Sequence, residues 1–386
     1  NDPWVELRLG LIALAALEDL AAAEHALLAG GRPRFDWWVS AWVAMRLESP
    51  ALAPVLVAAA RSDDNRSKAL GARGLGALKD PSAFELLVTL ARDPDEIVAF
   101  EALRALGALG DERGRGVAAG MLRAPSDVLR RQALLTIAAL PVESRLRSRI
   151  VPLIGDSSPW IRAAALAALA RTDRDNFALI LSGMDPDPVW WVRAALARSL
   201  GELGDDMSVG ILHAMLQEED ASALPAVLEA LQRARGRDSL STLTRHLDHP
   251  SLGVRVAAAE SLAGLEAKGV EDPLLDSWRR GLGDGELEAR LAAVGALRTL
   301  GGDDAQAALV EIARDDPSRA VRVRAGEALG ELGAASLPDP GPEAVDRPVL
   351  DYRAAMAPHY PLPGMSLFTP RAFLTTRHGV IEFHRT

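Results

Sequence analysis

Val192-Arg193-Ala194-Ala195-Leu196-Ala197-Arg198-Ser199-Leu200-Gly201-Glu202-Leu203-Gly204 decides the fold, because it recurs. Val321-Arg322 leads to Leu329-Gly330-Glu331-Leu332-Gly333, Val254-Arg255 to Leu262 and Leu265, and Ile161-Arg162 to Leu169. With the Arg as origin, equivalent positions are Glu6, Trp37, Lys68, Ala99, Arg130, Arg162, Arg193, Leu224, Arg255, Arg290 and Arg322. Successive steps are 31, 31, 31, 31, 32, 31, 31, 31, 35 and 32 residues. A fixed period of 20–50 residues is the mark of a solenoid.

Within each unit, the positions −1, +3, +7 and +10 from the origin are apolar or small. Examples are Val98, Ala102, Leu106 and Leu109, and Val192, Leu196, Leu200 and Leu203. These spacings form one stripe of a helix, here called helix B. Asp/Pro turns precede it, as in Asp93-Pro94-Asp95, Asp185-Pro186-Asp187-Pro188, His249-Pro250-Ser251 and Asp316-Pro317-Ser318. Asp and Ser suit an N-cap, and Pro is tolerated in a first turn. Gly110-Asp111 and Gly204-Asp205 suit its close. A second amphipathic segment, helix A, lies between successive B helices. Clear cases are Ala83–Arg92, Arg145–Ile154, Ser208–Gln217 and Ala305–Arg314. Neither helix buries its stripe alone, so stacking must supply the core. The step of 35 predicts about four extra residues in a loop or helix A around Ala267–Asp276. The expected class is an all-α solenoid of about 10–11 helix-turn-helix units over residues 1–335.

The chain has 386 residues, no Cys, 4% aromatics and a net charge of −10. The missing Cys excludes disulfides, thiolate metal sites and a Cys nucleophile. The negative charge argues against a general binder of nucleic-acid backbones. Leu9 to Leu17 is apolar, but it keeps the repeat phase and runs into Glu18-Asp19, so it reads as a helix rather than a signal peptide or membrane span. The chain opens on Asn1 rather than Met, so a preceding segment is expected. The compartment is left open.

The pattern D-P-x-x-x-V-R-x-x-A-x-x-x-L-G-x-L-G-D resembles the short HEAT-like repeats of bacterial scaffold proteins and of phycobilin-lyase-type repeat proteins. That resemblance implies a ladder in which an Asp before helix B and the Arg within it link neighbouring units. Arg130, Arg162, Arg193, Arg255 and Arg322 match the Arg, with Asp95, Asp127, Asp187, Asp248 and Asp316 as candidate partners. Glu6, Trp37, Ala99 and Leu224 depart from it, so the ladder should break there.

Beyond Leu337 the composition changes: eight of the 24 Pro fall between Pro338 and Pro370. Residues 336–371 read as a stiff, extended linker. Residues 372–386 alternate at period 2 around Gly379, which predicts a strand or a hairpin bending at His378-Gly379. Thr375 to Phe383 resembles the first strand of bacterial cyclophilin-type peptidyl-prolyl isomerases. That family's catalytic residues lie downstream of the strand, so none is carried onto this chain.

Candidate contacts with a partner are aromatic. Trp4, Trp160 and Trp191 sit two residues before the origin, and Trp160 and Trp191 are in consecutive units, which predicts that they lie side by side with Trp190 adjacent. Large aromatics at a helix start suit an interface anchor. Trp37, Trp38, Trp42 and Phe35 form a second cluster, in which Trp37 and Trp38 cannot both face the core. His246-Leu247-Asp248-His249 offers two imidazoles and a carboxylate. Pro250 puts them in a turn, so no metal site is expected. The acidic runs at Gln217–Asp220 and Gly283–Glu286 read as solvated turns. No phosphate loop, Ser nucleophile elbow or His-Glu-x-x-His occurs. The expectation is a scaffold without a catalytic constellation or cofactor. It would bind a protein partner or unfolded client along the helix-B surface, with no nucleic acid or small molecule. The alternative is the client-recruiting arm of a peptidyl-prolyl isomerase whose catalytic domain is not in this chain. A repeat-type bilin or DNA-base enzyme is a third reading, opposed for DNA by the charge.

Overall fold

A computed structural model describes residues 3–141, 146–334, 336–341, 372–376 and 379–383. The proposed linker from residue 342 to 371, Arg145, and the His378 bend lie outside the described residues. So do the side chains of Trp4 and Asp284.

Residues 1–340 and 341–386 are separate units. In the first, helices alternate between two layers. The B layer is α1 (Pro3–Ala16), α3 (Trp38–Leu47), α5 (Asn65–Leu78), α7 (Glu96–Leu109), α9 (Asp127–Ala139), α11 (Pro159–Thr172), α13 (Trp190–Leu203), α15 (Leu224–Arg235), α17 (Leu252–Gly264), α19 (Leu287–Leu300) and α21 (Arg319–Glu331). The A layer is α2 (Leu20–Leu27), α4 (Ala53–Ala60), α6 (Phe84–Leu90), α8 (Gly114–Met121), α10 (Arg147–Ile150), α12 (Arg174–Leu181), α14 (Asp206–Met215), α16 (Leu240–His246), α18 (Glu271–Asp284) and α20 (Gly302–Asp315). Each B helix from α3 onward packs on the next B helix. The chain is therefore an all-α solenoid. No described helix is long and apolar enough to cross a membrane. A two-residue hairpin, β1 (Leu28–Ala29) with β2 (Arg32–Pro33), turns at Gly30 and Gly31, whose φ of 56° and 77° favour glycine. In the second unit, β3 (Ala372–Thr376) pairs antiparallel with β4 (Gly379–Phe383), with Thr376 opposite Gly379.

The predicted stripes form the core. Val98, Ala102, Leu106, Val192 and Leu200 are buried, while Leu109, Leu196 and Leu203 are half-buried. The extra residues of the 35-residue step lie in the connection 265–270 between α17 and α18, whereas only Gly301 separates α19 from α20; α18 and α20 both have 14 residues. Trp278 on α18 enters the core at 2% exposure.

Small residues let adjacent B helices approach closely. A Cβ at Gly201 would lie 2.7 Å from Cα and Cβ of Ala230, and one at Gly76 would lie 2.6 Å from those atoms of Ala105. Such contacts force backbone to move.

The origin side chain ties these units together. Arg130, Arg162, Arg193, Arg255 and Arg322 first reach back to their own turns. Arg130 Nη1 donates to the carbonyls of Ala124 and Pro125, and Arg162 Nη1 to Asp156 and Ser157. Arg193 Nη1 donates to Asp187, Arg255 Nη1 to His249 and Pro250, and Arg322 Nη1 to Asp316 and Pro317. The rest of the guanidinium faces forward, to a carboxylate of the following unit. Arg130 Nη2 is 3.5 Å from Asp156, Arg162 Nε is 2.6 Å from Asp187, and Arg193 Nε is 2.7 Å from Glu218. Arg193 also pairs with Asp220, and Arg255 with Glu286. Lys68 Nζ is 3.0 Å from Asp93, and Arg290 Nε is 3.6 Å from the buried Asp316, which also accepts the Trp278 indole N–H at 2.7 Å. Arg322 belongs to the last repeat among the described residues, and its Nε donates to the Pro340 carbonyl at 2.7 Å.

The forward acid stands six residues before the next origin in most of these pairs. Its carboxylate also caps its own turn: Asp156, Asp187 and Asp316 accept N–H of Ser158, Val189 and Ser318. Where the origin carries no cation, that position carries no acid. Glu6, Trp37, Ala99 and Leu224 are followed by Gly31, Ser62, Ala124 and His249. Three expected partners sit elsewhere. Asp95 caps α7 and accepts from Asn65, Asp127 pairs with Arg130 three residues on within its own helix, and Asp248 pairs with Arg280. The two acidic runs are not simply solvated turns, since Glu218, Asp220 and Glu286 bind buried arginines.

Burial pushes the Asp187 carboxyl up, but hydrogen bonds from Arg162 and the Val189 N–H outweigh it and hold it below the usual carboxylate range. Asp220 is held down to about 2 by the Ser222 hydroxyl and N–H and then by Arg193. Asp187→Ala removes a cap and the carboxylate of Arg162; thermal or urea unfolding should show a loss of about 2–3 kcal/mol, the scale of hydrogen bonds to charged groups. Gly201→Ala should destabilise by about 1–3 kcal/mol through overpacking. Gly295→Ala, on α19 with nothing within 4 Å of the new Cβ, should instead stabilise by up to about 1 kcal/mol.

Candidate functional site

The B helices begin on a common edge, where the residue two before the origin sits in or beside the first helical turn. There, Ile97 is 66% exposed, Val128 48% and Trp160 57%, while Trp191 is half-buried against the core. These four residues start α7, α9, α11 and α13, so the repeat brings them into one row. Axes of packed helices lie about 8–10 Å apart. The Trp160 and Trp191 rings lean together across that gap, with centroids 4.3 Å apart and planes at 33°. The Arg131 guanidinium lies 5.4 Å from the Trp160 centroid, on the side of the preceding unit. Trp190, the next residue, is 49% exposed. In the units that follow, the same position holds Ser222, Gly253, Glu288 and Ala320, so the stack does not need an aromatic there.

The N-terminal aromatic cluster is arranged differently. Trp37 and Trp38 meet edge to face at 6.2 Å, and both are half-buried against the core together with Phe35 and Trp42. Neither is a freely exposed anchor: Trp37 caps the start of α3, and Trp38 is covered by the Arg66 guanidinium 3.5 Å above its ring. Trp4 falls in the first turn of α1, with its side chain outside the described residues.

The His pair is built into the scaffold. His246 Nδ1 is 2.7 Å from the Thr242 carbonyl, and His249 Nδ1 accepts the Ser251 N–H at 3.0 Å. His249 occupies the place held by Asp156, Asp187 and Asp316 in other units. With Leu224 as the preceding origin, it has no cation to match. Burial, then the His246 ring and Arg255, lower the His249 pKa from its ordinary 6.5. A depressed folded-state pKa means that the stabilisation is complete above about 6.5 and is lost as pH falls through the folded value. The protection factor of the Ser251 amide, taken against the intrinsic exchange rate at each pH, should fall between pH 7 and 5. His249→Asn, which keeps an acceptor but does not titrate, should flatten that dependence.

The family model for HEAT repeats matches residues 52–117, 177–263 and 249–330. A search of curated proteins finds no match. Among solved structures, human deoxyhypusine hydroxylase in complex with glycerol is 23% identical, covering 67% of this chain and 99% of that one, with a TM-score of 0.29. The complex of the two phycocyanin lyase chains from Nostoc sp. PCC7120 is 17% identical, covering 74% and 94%, with a TM-score of 0.34. Importin beta is 14% identical, covering 81% and 50%, with a TM-score of 0.41. The HEAT match ends at residue 330, and neither it nor the two-stranded hairpin supports the resemblance to a cyclophilin strand. With more than half its length matched and the stacked helix pairs that its sequence period requires, the chain belongs to the HEAT-repeat family.

Proposed function

We propose that the chain is a protein-interaction scaffold that seats a partner along the helix-B edge, with Trp160 and Trp191 as anchors and Trp190 beside them. The observation that carries this reading is the stacked Trp160–Trp191 pair, in which Trp160 is 57% exposed and Trp191 half-buried, at a position the following units fill with Ser, Gly, Glu or Ala. Exposed apolar rows of this kind mark interaction surfaces, and Trp is enriched among the residues that dominate binding energy. Ile97 and Val128 continue the row toward the N-terminus, which suits a partner segment crossing several repeats. The reading does not draw on the rung arginines, which face their own turns and the carboxylates of the next unit.

The test uses the full chain as bait in a lysate of its source, with captured proteins quantified by mass spectrometry. Trp160→Ala with Trp191→Ala should reduce capture of the main partner at least tenfold, since a hot-spot side chain contributes 2 kcal/mol or more. Circular dichroism checks that the helices persist. Undiminished capture by a folded variant would remove the Trp pair from the interface.

A further inference from the structure

A second feature lies on the helix-B face of the N-terminal units. Arg46 on α3, Arg73 on α5 and Arg104 on α7 line one cavity of about 300 Å³. Its floor is small, because Gly76 lies directly against Ala105 and no side chain fills the space. Arg104 is held by Glu101 at 2.7 Å. Arg46 and Arg73 are exposed and have no carboxylate or hydrogen-bond partner among the described residues. In a chain of net charge −10, two converging arginines left unneutralised stand out. Arg73 also lines an adjoining cavity of about 310 Å³, whose apolar walls are Trp42, Leu70 and Ile97.

The two cavities ask for different chemistry side by side. A guanidinium presents a planar fork of donors that matches a carboxylate, while the adjoining walls take an apolar group. Nucleic acid fits poorly, since Glu48, Asp95 and Glu101 are interleaved with the arginines and would repel a continuous line of phosphates. Free phosphate would leave the apolar cavity empty. Resting on the scaffold reading above, we propose that this face of α3, α5 and α7 binds an extended peptide segment of a partner protein. An aspartate or glutamate sits between Arg46 and Arg73, and a large apolar side chain lies on Trp42, Leu70 and Ile97. Arg46 and Trp42 are four residues apart on α3, and Arg73 and Leu70 three apart on α5; that is about 4.5–6 Å along a helix, and an extended chain advances about 3.3 Å per residue, so the two side chains are about two positions apart.

The test is selection of a random twelve-residue peptide library displayed on phage against the immobilised full chain. Enriched peptides are then synthesised with fluorescein and titrated by anisotropy. The expected peptides carry Asp or Glu within three positions of a large apolar residue. Arg46→Ala with Arg73→Ala, both exposed and so expected to leave the melting curve unchanged, should weaken binding at least tenfold. Raising the salt should weaken binding to wild type, and Trp160→Ala should not affect it. Enrichment of basic or purely apolar peptides, unchanged affinity in the double variant, or displacement by a single-stranded oligonucleotide at lower concentration than by unlabelled peptide would overturn the proposal. Peptides lost in Trp160→Ala/Trp191→Ala but retained by the arginine variant would overturn it while leaving the scaffold reading intact. Failure to enrich any peptide would count against both.

Discussion

The fold depends on one guanidinium used twice. At the repeat origin, Nη1 takes the carbonyls of the turn that launches its own helix, and the remaining nitrogens take an acid from the next unit. The first set of bonds fixes the angle at which the helix starts, and the second fixes where the neighbour sits. A Lys lacks the fork: Lys68 Nζ reaches Asp93 at 3.0 Å and, behind it, the Asn65 side chain at 3.5 Å rather than a turn carbonyl. Burying such a charge is costly unless every donor is matched. The acid therefore appears only where a cation precedes it, and Ala99 and Leu224 are answered by Ala124 and His249 rather than by a stranded carboxylate.

This arrangement separates the parts of the surface. Charges at the turn are consumed in holding units together, which leaves the helix-B face to be decorated without disturbing the stack. The decoration differs along the chain. Arginine and mixed apolar groups lie over α3, α5 and α7, and an aromatic pair marks the start of α11 and α13. A repeat array suits such division, because each unit is stabilised mainly by its neighbours and tolerates variation elsewhere.

The period and the Arg series are legible in the sequence because both come from local rules: a helical stripe, a turn, and a fixed step. The acids are harder to read. Asp93 and Asp95 stand two residues apart in one turn, and both cap backbone N–H groups. Only Asp93 reaches the cation of the preceding unit. One unit in isolation does not separate them; pairing each origin with the residue six before the next origin does. Trp278 is hidden for a related reason. Its partner Asp316 lies 38 residues away, in the turn before α21, and only the stacking of successive units brings them together. The juxtaposition of Trp160 and Trp191 follows from phase alone, whereas the half-burial of both Trp37 and Trp38 depends on packing of Phe35, Trp42 and Arg66 around them.

The uneven spacing of charged rungs also has a mechanical side. Arg130, Arg162 and Arg193 form an unbroken run, bounded on one side by Ala99 against Ala124 and on the other by Leu224 against His249. At the first boundary other groups take over the link, since the Thr136 hydroxyl on α9 donates to the Leu103 carbonyl on α7 at 2.8 Å and Arg115 on α8 donates to the Pro141 carbonyl. Trp160 and Trp191 ride within the charged run, on helices whose starting turns are joined by the Arg162–Asp187 pair, so the rung that spaces α11 from α13 also sets the distance over which the two rings meet.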